Sequence, residues 1–206
     1  MSGPCRFRRL RGDDIDTTPP AAARLHPPGR THGYHAPVRE RFDLRGALPR
    51  LPGLMLGLVL FGVGIALMVE AGLGLGPWEA LHQGIANRLG LQIGTVSILL
   101  GIPILALWWP LGERPGIGTV LNIVFIGAAT DVGIAFLPTA ETVTTQLLMM
   151  FGGVLVIGLG SATYLAADLG PGPRDGLMTG LHHRFGWSIR RARTAIELSV
   201  LVVGWA

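Results

Sequence analysis

The sequence contains no lysine, since all 17 basic residues are arginine, and it has one cysteine, Cys5. The missing lysine fits a GC-rich coding sequence and carries no mechanism. A lone cysteine excludes an intramolecular disulfide framework and any multi-cysteine metal site. Nor does Cys5 belong to a lipoprotein signal, because Met1 to Pro4 lack an apolar signal core. The first apolar run begins near residue 51 without a small-residue cleavage pattern after it, so it reads as a retained helix. Catalytic signatures are missing too. There is no phosphate loop, nucleophile elbow or dinucleotide fingerprint, and no enzymatic activity or cofactor is expected. His82, His182 and His183 lack metal-ligand spacing, His182 and His183 point apart on a helix, and His26, His32 and His35 form only an incidental tract, so no metal is expected.

What the sequence has is apolar length. Of 206 residues, 31 are glycine and 49% are hydrophobic, with a mean hydropathy of +0.47. Four stretches, residues 54–71, 93–110, 117–137 and 143–167, approach or exceed the roughly 20 residues that cross a bilayer. A fifth begins near residue 194. A soluble bundle built from such segments would have no solvent face. The expected fold is all-α, a polytopic transmembrane helical bundle of five spans.

Residues 1–46 are rich in Arg, Pro, His and Asp and poor in large apolar residues, a composition that predicts a disordered cytoplasmic tail. Its arginines, Arg6, Arg8, Arg9 and Arg11 first, suit contact with anionic lipid or nucleic acid; a solvated extension, or a start codon placed too early, is the simpler reading, and no nucleic-acid partner is expected. Residues 47–206 form the membrane domain. Ten arginines fall in residues 1–50, Arg114 follows span two, and Arg174, Arg184, Arg190, Arg191 and Arg193 follow span four, leaving Arg88 for the other side. The bias predicts a plasma-membrane protein with a cytoplasmic amino terminus and residues 72–91 outside.

A shift of 96 positions lays residues 57–93 over 153–189 and pairs the string G-x-G-P-x-[ED]-x-L-x-x-G-x-x-x-R-x-G with itself. The repeat copies run from about 54 to 110 and from about 150 to 206. An odd number of crossings separates them, so they are expected to be inverted in the bilayer, as in many secondary transporters. In each copy two glycines, Gly74 and Gly76 or Gly170 and Gly172, break the helix. Pro77 or Pro173 then starts a short second helix at the membrane surface, with Glu79 or Asp175 near its positive end. Such interrupted helices can bind anions or polar solutes at free amides; equally, Gly-Pro can turn the chain at the interface with the acid as a cap. Gly62 and Ala66, repeated as Gly158 and Ala162, predict close packing of spans one and four.

Other polar groups at membrane depth are Asn122 and Asp131 in span three, Glu70 and Asp168 at span ends, Gln146 in span four and Glu197 in span five. Asp131 and Glu197 suit ion or proton coupling, although Asp131 lies close to Leu137-Pro138 and Glu197 can pair with Arg193 four residues earlier. The candidate substrate or ion site is therefore Gly74, Gly76, Pro77, Glu79, Asn122, Asp131, Gly170, Gly172, Pro173, Arg174, Asp175 and Glu197.

The strings Gly74-Leu75-Gly76-Pro77-Trp78-Glu79-Ala80-Leu81-His82, Gly116-Ile117-Gly118-Thr119-Val120-Leu121-Asn122 and Asp168-Leu169-Gly170-Pro171-Gly172-Pro173-Arg174-Asp175-Gly176-Leu177 resemble the YczE-like bacterial membrane proteins, grouped with the YyaS and YitT names. The resemblance covers about residue 50 to the end. It implies an integral membrane protein more than an activity. Against that family the chain is expected to stop one helix early, with Thr194 to Ala206 as a shortened fifth span, and so to be a truncated product. The leading functional expectation is a permease-like transporter of a small polar or anionic solute, with homo-oligomers open. A non-transporting scaffold or regulator is the alternative.

Overall fold

A computed structural model describes residues 44–205, and nearly all of the expected tail lies outside the described residues. Its last positions begin the fold, because Leu44–Ala47 is a helical turn followed by the 3-10 turn Leu48–Arg50. Seven longer helices follow: α1 (Leu51–Ala71), α2 (Pro77–Leu89), α3 (Ile93–Leu111), α4 (Ile117–Phe136), α5 (Val143–Ala166), α6 (Pro173–Phe185) and α7 (Ile189–Trp205). No strand occurs among the described residues.

The segments Leu48–Ala71, Ile93–Leu111, Ile117–Phe136 and Val143–Ala166 are long and apolar enough to cross a membrane. The fifth expected span corresponds to α7, whose 17 residues place it outside that group of four. Large apolar side chains stand outward, among them Trp109, Phe136, Phe151 and Leu155. In water such a surface would aggregate; in a bilayer it faces acyl chains while helices satisfy their own backbone. The chain is a multi-pass membrane protein.

Helices end where the sequence provides caps. Gly72, Gly90, Gly112 and Gly186 take left-handed angles and terminate α1, α2, α3 and α6, since a residue with a Cβ rarely adopts that conformation. Pro77 and Pro173 open α2 and α6, where the missing N–H has no helical partner to lose.

Packing is organised around α1. A Cβ built on Gly57 would lie 2.8 Å from the Gly160 carbonyl, and one on Gly64 would lie 2.9 Å from the Gly153 carbonyl, so α1 and α5 cross antiparallel with their backbones nearly touching. The expected contact between spans one and four is present, but through Gly57, Gly64, Gly153 and Gly160. Gly62 and Ala66 pack instead against α4, at Ala129 and Gly133, while Gly158 meets open space and Ala162 is exposed. Four-residue spacing identified a small-residue face but not the neighbour it meets.

The two short helices do not begin at the membrane surface, as the sequence suggested. Trp78 and Leu81 of α2 pack on Ile104 in the body of α3, and Ile85 and Leu100 join the same cluster. The α2 helix thus starts beside the middle of α3 and runs back toward the start of α3. In α6, a Cβ on Gly176 would meet the Trp108 ring and one on Gly180 would lie 2.9 Å from Leu111, so α6 runs toward the end of α3. The starts of α2 and α6 meet inside the bundle, and from there the two helices run toward opposite ends of α3.

Candidate functional site

Between these two helix starts lies a cavity of about 430 Å³. Gly76, Pro77, Trp78, Glu79 and His82 line it from the first break, and Gly172, Pro173, Arg174 and Asp175 line it from the second. Asn122 and Ile126 of α4, Ser97 and Gly101 of α3, Ser161 and Tyr164 of α5, and Arg193 and Glu197 of α7 add to the wall, with Phe61, Ile104, Ile123, Ile157, Leu165, Met178 and Ile196 as its further apolar lining.

The bond that joins the two halves is between Arg174 Nη1 and Glu79 Oε1, 2.7 Å apart, with side chains only 28% and 14% exposed. The Arg174 guanidinium also lies over the Trp78 ring, 4.9 Å from its centroid, a cation–π contact whose strength grows as water is excluded. Tyr164 donates its hydroxyl to Asp175 Oδ2 at 3.2 Å. Each acid also lies against the start of its own helix. A Cβ on Gly76 would meet Glu79 Oε2 at 2.6 Å, and one on Gly172 would meet Asp175 Oδ2 at 3.2 Å. The positive end of each short helix is therefore already faced by a carboxylate of the same chain.

The second break is held by the start of α4. Gly118 N–H donates to the Leu169 carbonyl at 2.9 Å, and Thr119 Oγ1 donates to the Pro171 carbonyl at 2.8 Å. Leu169 passes so close that a Cβ on Gly116 or Gly118 would lie 2.6 or 2.8 Å from its carbonyl oxygen. The Gly116 to Asn122 string thus acquires a physical reason: its glycines admit the second break, Thr119 ties it down, and Asn122, one turn on, reaches the cavity. Trp108 adds a buried hydrogen bond from Nε1 to the Pro173 carbonyl at 3.0 Å.

Of the sequence-derived candidates, Gly76, Pro77, Glu79, Asn122, Gly172, Pro173, Arg174, Asp175 and Glu197 line the cavity, whereas Gly74, Gly170 and Asp131 do not. Gly74 and Gly170 have φ of 151° and 125° and shape the breaks. Glu197 accepts from Arg193 Nε at 2.7 Å, the i,i+4 pairing read from the sequence, at an exposed edge of the wall. Glu70 accepts from Thr139 Oγ1 at 2.6 Å, away from the cavity. Asp168 adopts a φ of 52° in the second break.

Asp131, outside the cavity, is held by the start of a neighbouring helix. Its Oδ1 accepts from Gly94 N–H at 2.6 Å and its Oδ2 from Thr95 Oγ1 at 2.9 Å, so it caps the start of α3 from a neighbouring helix. Asp131→Ala is expected to lower stability by about 1–2 kcal/mol, the usual worth of a lost cap. Thermal unfolding of the purified protein checks this, and an unchanged midpoint would show that the cap contributes nothing.

Trp78, Tyr164, Ser97 and Ser161 escaped the sequence reading, and His82 was weighed only as a metal ligand. A usable signal existed for His82, which follows Glu79 by three residues and so shares its helix face. Tyr164 carried none, since its partner Asp175 lies beyond the break. Among the described residues no group of three His, Cys, Asp or Glu side chains is placed to hold a metal ion.

A family model described as a family of unknown function, DUF6198, matches residues 48–206. A Haemophilus influenzae "Uncharacterized protein" is 38% identical over 152 residues, covering 74% of this chain and 70% of its own length. The Bacillus subtilis "Uncharacterized membrane protein YczE" is 36% identical over 152 residues, covering 72% of this chain and 70% of its own. The Bacillus subtilis "Uncharacterized protein YyaS" is 28% identical, covering 72% and 76%. No solved structure matches the chain. The family model spans the whole bundle from the start of the first crossing and the relatives are similar over most of it, so the chain belongs to the YczE-like membrane protein family, DUF6198.

Proposed function

We propose that the chain is a small permease-like transporter in which two inverted helix-break-helix units frame the cavity and move against each other to expose it alternately. The observation that carries this reading is the Glu79–Arg174 ion pair, which joins one break to the other inside the bundle. Backbone angles support the duplication. Positions 96 apart share them: Gly72 and Asp168 have φ of 65° and 52°, and Gly90 and Gly186 have 67° and 68°. Trp78 and Arg174, which also correspond, meet each other. The antiparallel crossing of α1 and α5 supports opposite orientations for the two copies.

In this reading α7 is the fifth crossing, the amino terminus is cytoplasmic in the plasma membrane, and the cargo is a small polar or anionic solute. The chain is no enzyme, and homo-oligomers are compatible with the fold. Two single-cysteine proteins test the topology, built on a Cys5→Ser background with Leu91→Cys or Trp187→Cys. An impermeant maleimide added to intact cells should label the first and spare the second. Labelling of both from one side would end the inverted reading.

Flux tests the activity. Full-length protein in liposomes should exchange at least one solute from a panel of anions and metabolites, and Gly76→Leu and Gly172→Leu should abolish that exchange. No flux across the panel would remove the transport reading. A second reading, a non-transporting scaffold or regulator, is favoured by one feature, the open small-residue face of α5 at Gly158 and Ala162. Crosslinking that recovers one stoichiometric partner, with no flux, would select it.

A further inference from the structure

We propose that the cavity takes a small zwitterion, a solute carrying one carboxylate and one ammonium group, rather than a simple anion. This rests on the reading of the cavity as a solute site and names what that site accepts.

Two observations carry it. The first is that Asn122 and His82 line the cavity while only 7% and 3% exposed, and neither side chain has a hydrogen-bond partner among the described residues. Buried polar groups are nearly always partnered, and leaving one unmet is costly. Among the described residues no fully enclosed side-chain nitrogen or oxygen lacks a partner, so the free groups of Asn122 and His82 open onto the cavity. An amide offers a donor and an acceptor, and a neutral imidazole does the same. Such a pair suits a ligand with both kinds of group.

The second observation is charge. The wall holds three carboxylates, Glu79, Asp175 and Glu197, against two guanidiniums, Arg174 and Arg193. Two helix starts, each roughly half a positive charge, bring the balance close to zero. Both starts already face Glu79 or Asp175, which removes the usual reason for an anion to settle there. An anion that took Arg174 would leave Glu79 unpaired, and a cation that took Glu79 would leave Arg174 unpaired; burying an unpaired charge is the expensive outcome. A zwitterion can give its carboxylate to Arg174 and its ammonium to Glu79. One ion pair then becomes two, and nothing charged is abandoned.

Purified full-length protein is tested by thermal unfolding against five probes: glycine, L-glutamine, acetate, methylammonium and glycerol. Glycine or L-glutamine should raise the unfolding temperature in a saturable way, and the other three should not. Asn122→Ala should weaken that binding about tenfold or more, the factor that goes with a lost hydrogen bond to a charged group. Glu79→Gln should turn the preference toward acetate, and Arg174→Gln toward methylammonium. Acetate, methylammonium or glycerol stabilising the unsubstituted protein as strongly as the amino acids would overturn the proposal, as would no response to either amino acid at millimolar concentration. Amino-acid binding without flux would instead overturn transport and leave the site, and flux of anions alone would leave transport and overturn the zwitterion.

Discussion

Gly160→Leu will disrupt the bundle, and Gly158→Leu, two residues away on the same helix, will leave it intact. A Cβ at 160 would lie 2.7 Å from both the Gly57 carbonyl oxygen and the Phe61 amide nitrogen, whereas nothing lies within 4 Å of a Cβ at 158. The obstructing atoms are backbone, which a rotamer change cannot move aside. With lipid as apolar as the helices, close approach supplies much of what holds α1 to α5. Overpacking of this kind costs about 3 kcal/mol or more, and the position 158 change should remain within about 0.5 kcal/mol. Unfolding in detergent, with proteolytic susceptibility in native membranes as a second readout, separates the two. Equal losses at both positions would mean that α1 and α5 do not cross at these glycines.

The second large effect belongs to the ion pair. Glu79→Gln and Arg174→Gln each leave a charge poorly solvated beside the cavity, and each is expected to cost about 3 kcal/mol, as breaking one side of a buried pair does. The double variant should be more stable than the sum of the two losses predicts, because no charge is then left alone. Strict additivity in this cycle would show that the two side chains do not meet in the folded protein. Since the two residues lie 95 positions apart in sequence, one at each break, the coupling energy also tests whether the two helix starts share one cavity.

Why α2 and α6 reach the interior was not legible in their own residues. A Gly-x-Gly-Pro break followed by 13 helical residues serves a surface turn and an inward hairpin equally well, because local conformation is the same in both. For α6 the decision rests on remote glycines, Gly116 and Gly118 beside Leu169, which remove side chains that would block entry, together with its own Gly176, which lets Trp108 of α3 close against it. Asp131 is a similar case. A carboxylate near the end of a span reads as an ion ligand until a neighbouring helix presents Gly94 N–H and Thr95 Oγ1 to it.

The sequence alone determined that this chain lives in a bilayer, where its helices run and where they break. These follow from apolar run length, from glycine's conformational freedom and from proline's fixed φ, all properties of a residue and its near neighbours. It also identified Glu79, Arg174, Asp175 and Asn122 as residues worth watching. Tertiary structure decided that they face one cavity, which glycines permit α1 to meet α5, and that Asp131 is a cap. Such outcomes depend on which surfaces come together across tens of residues, and side-chain spacing along one helix carries no record of its neighbours.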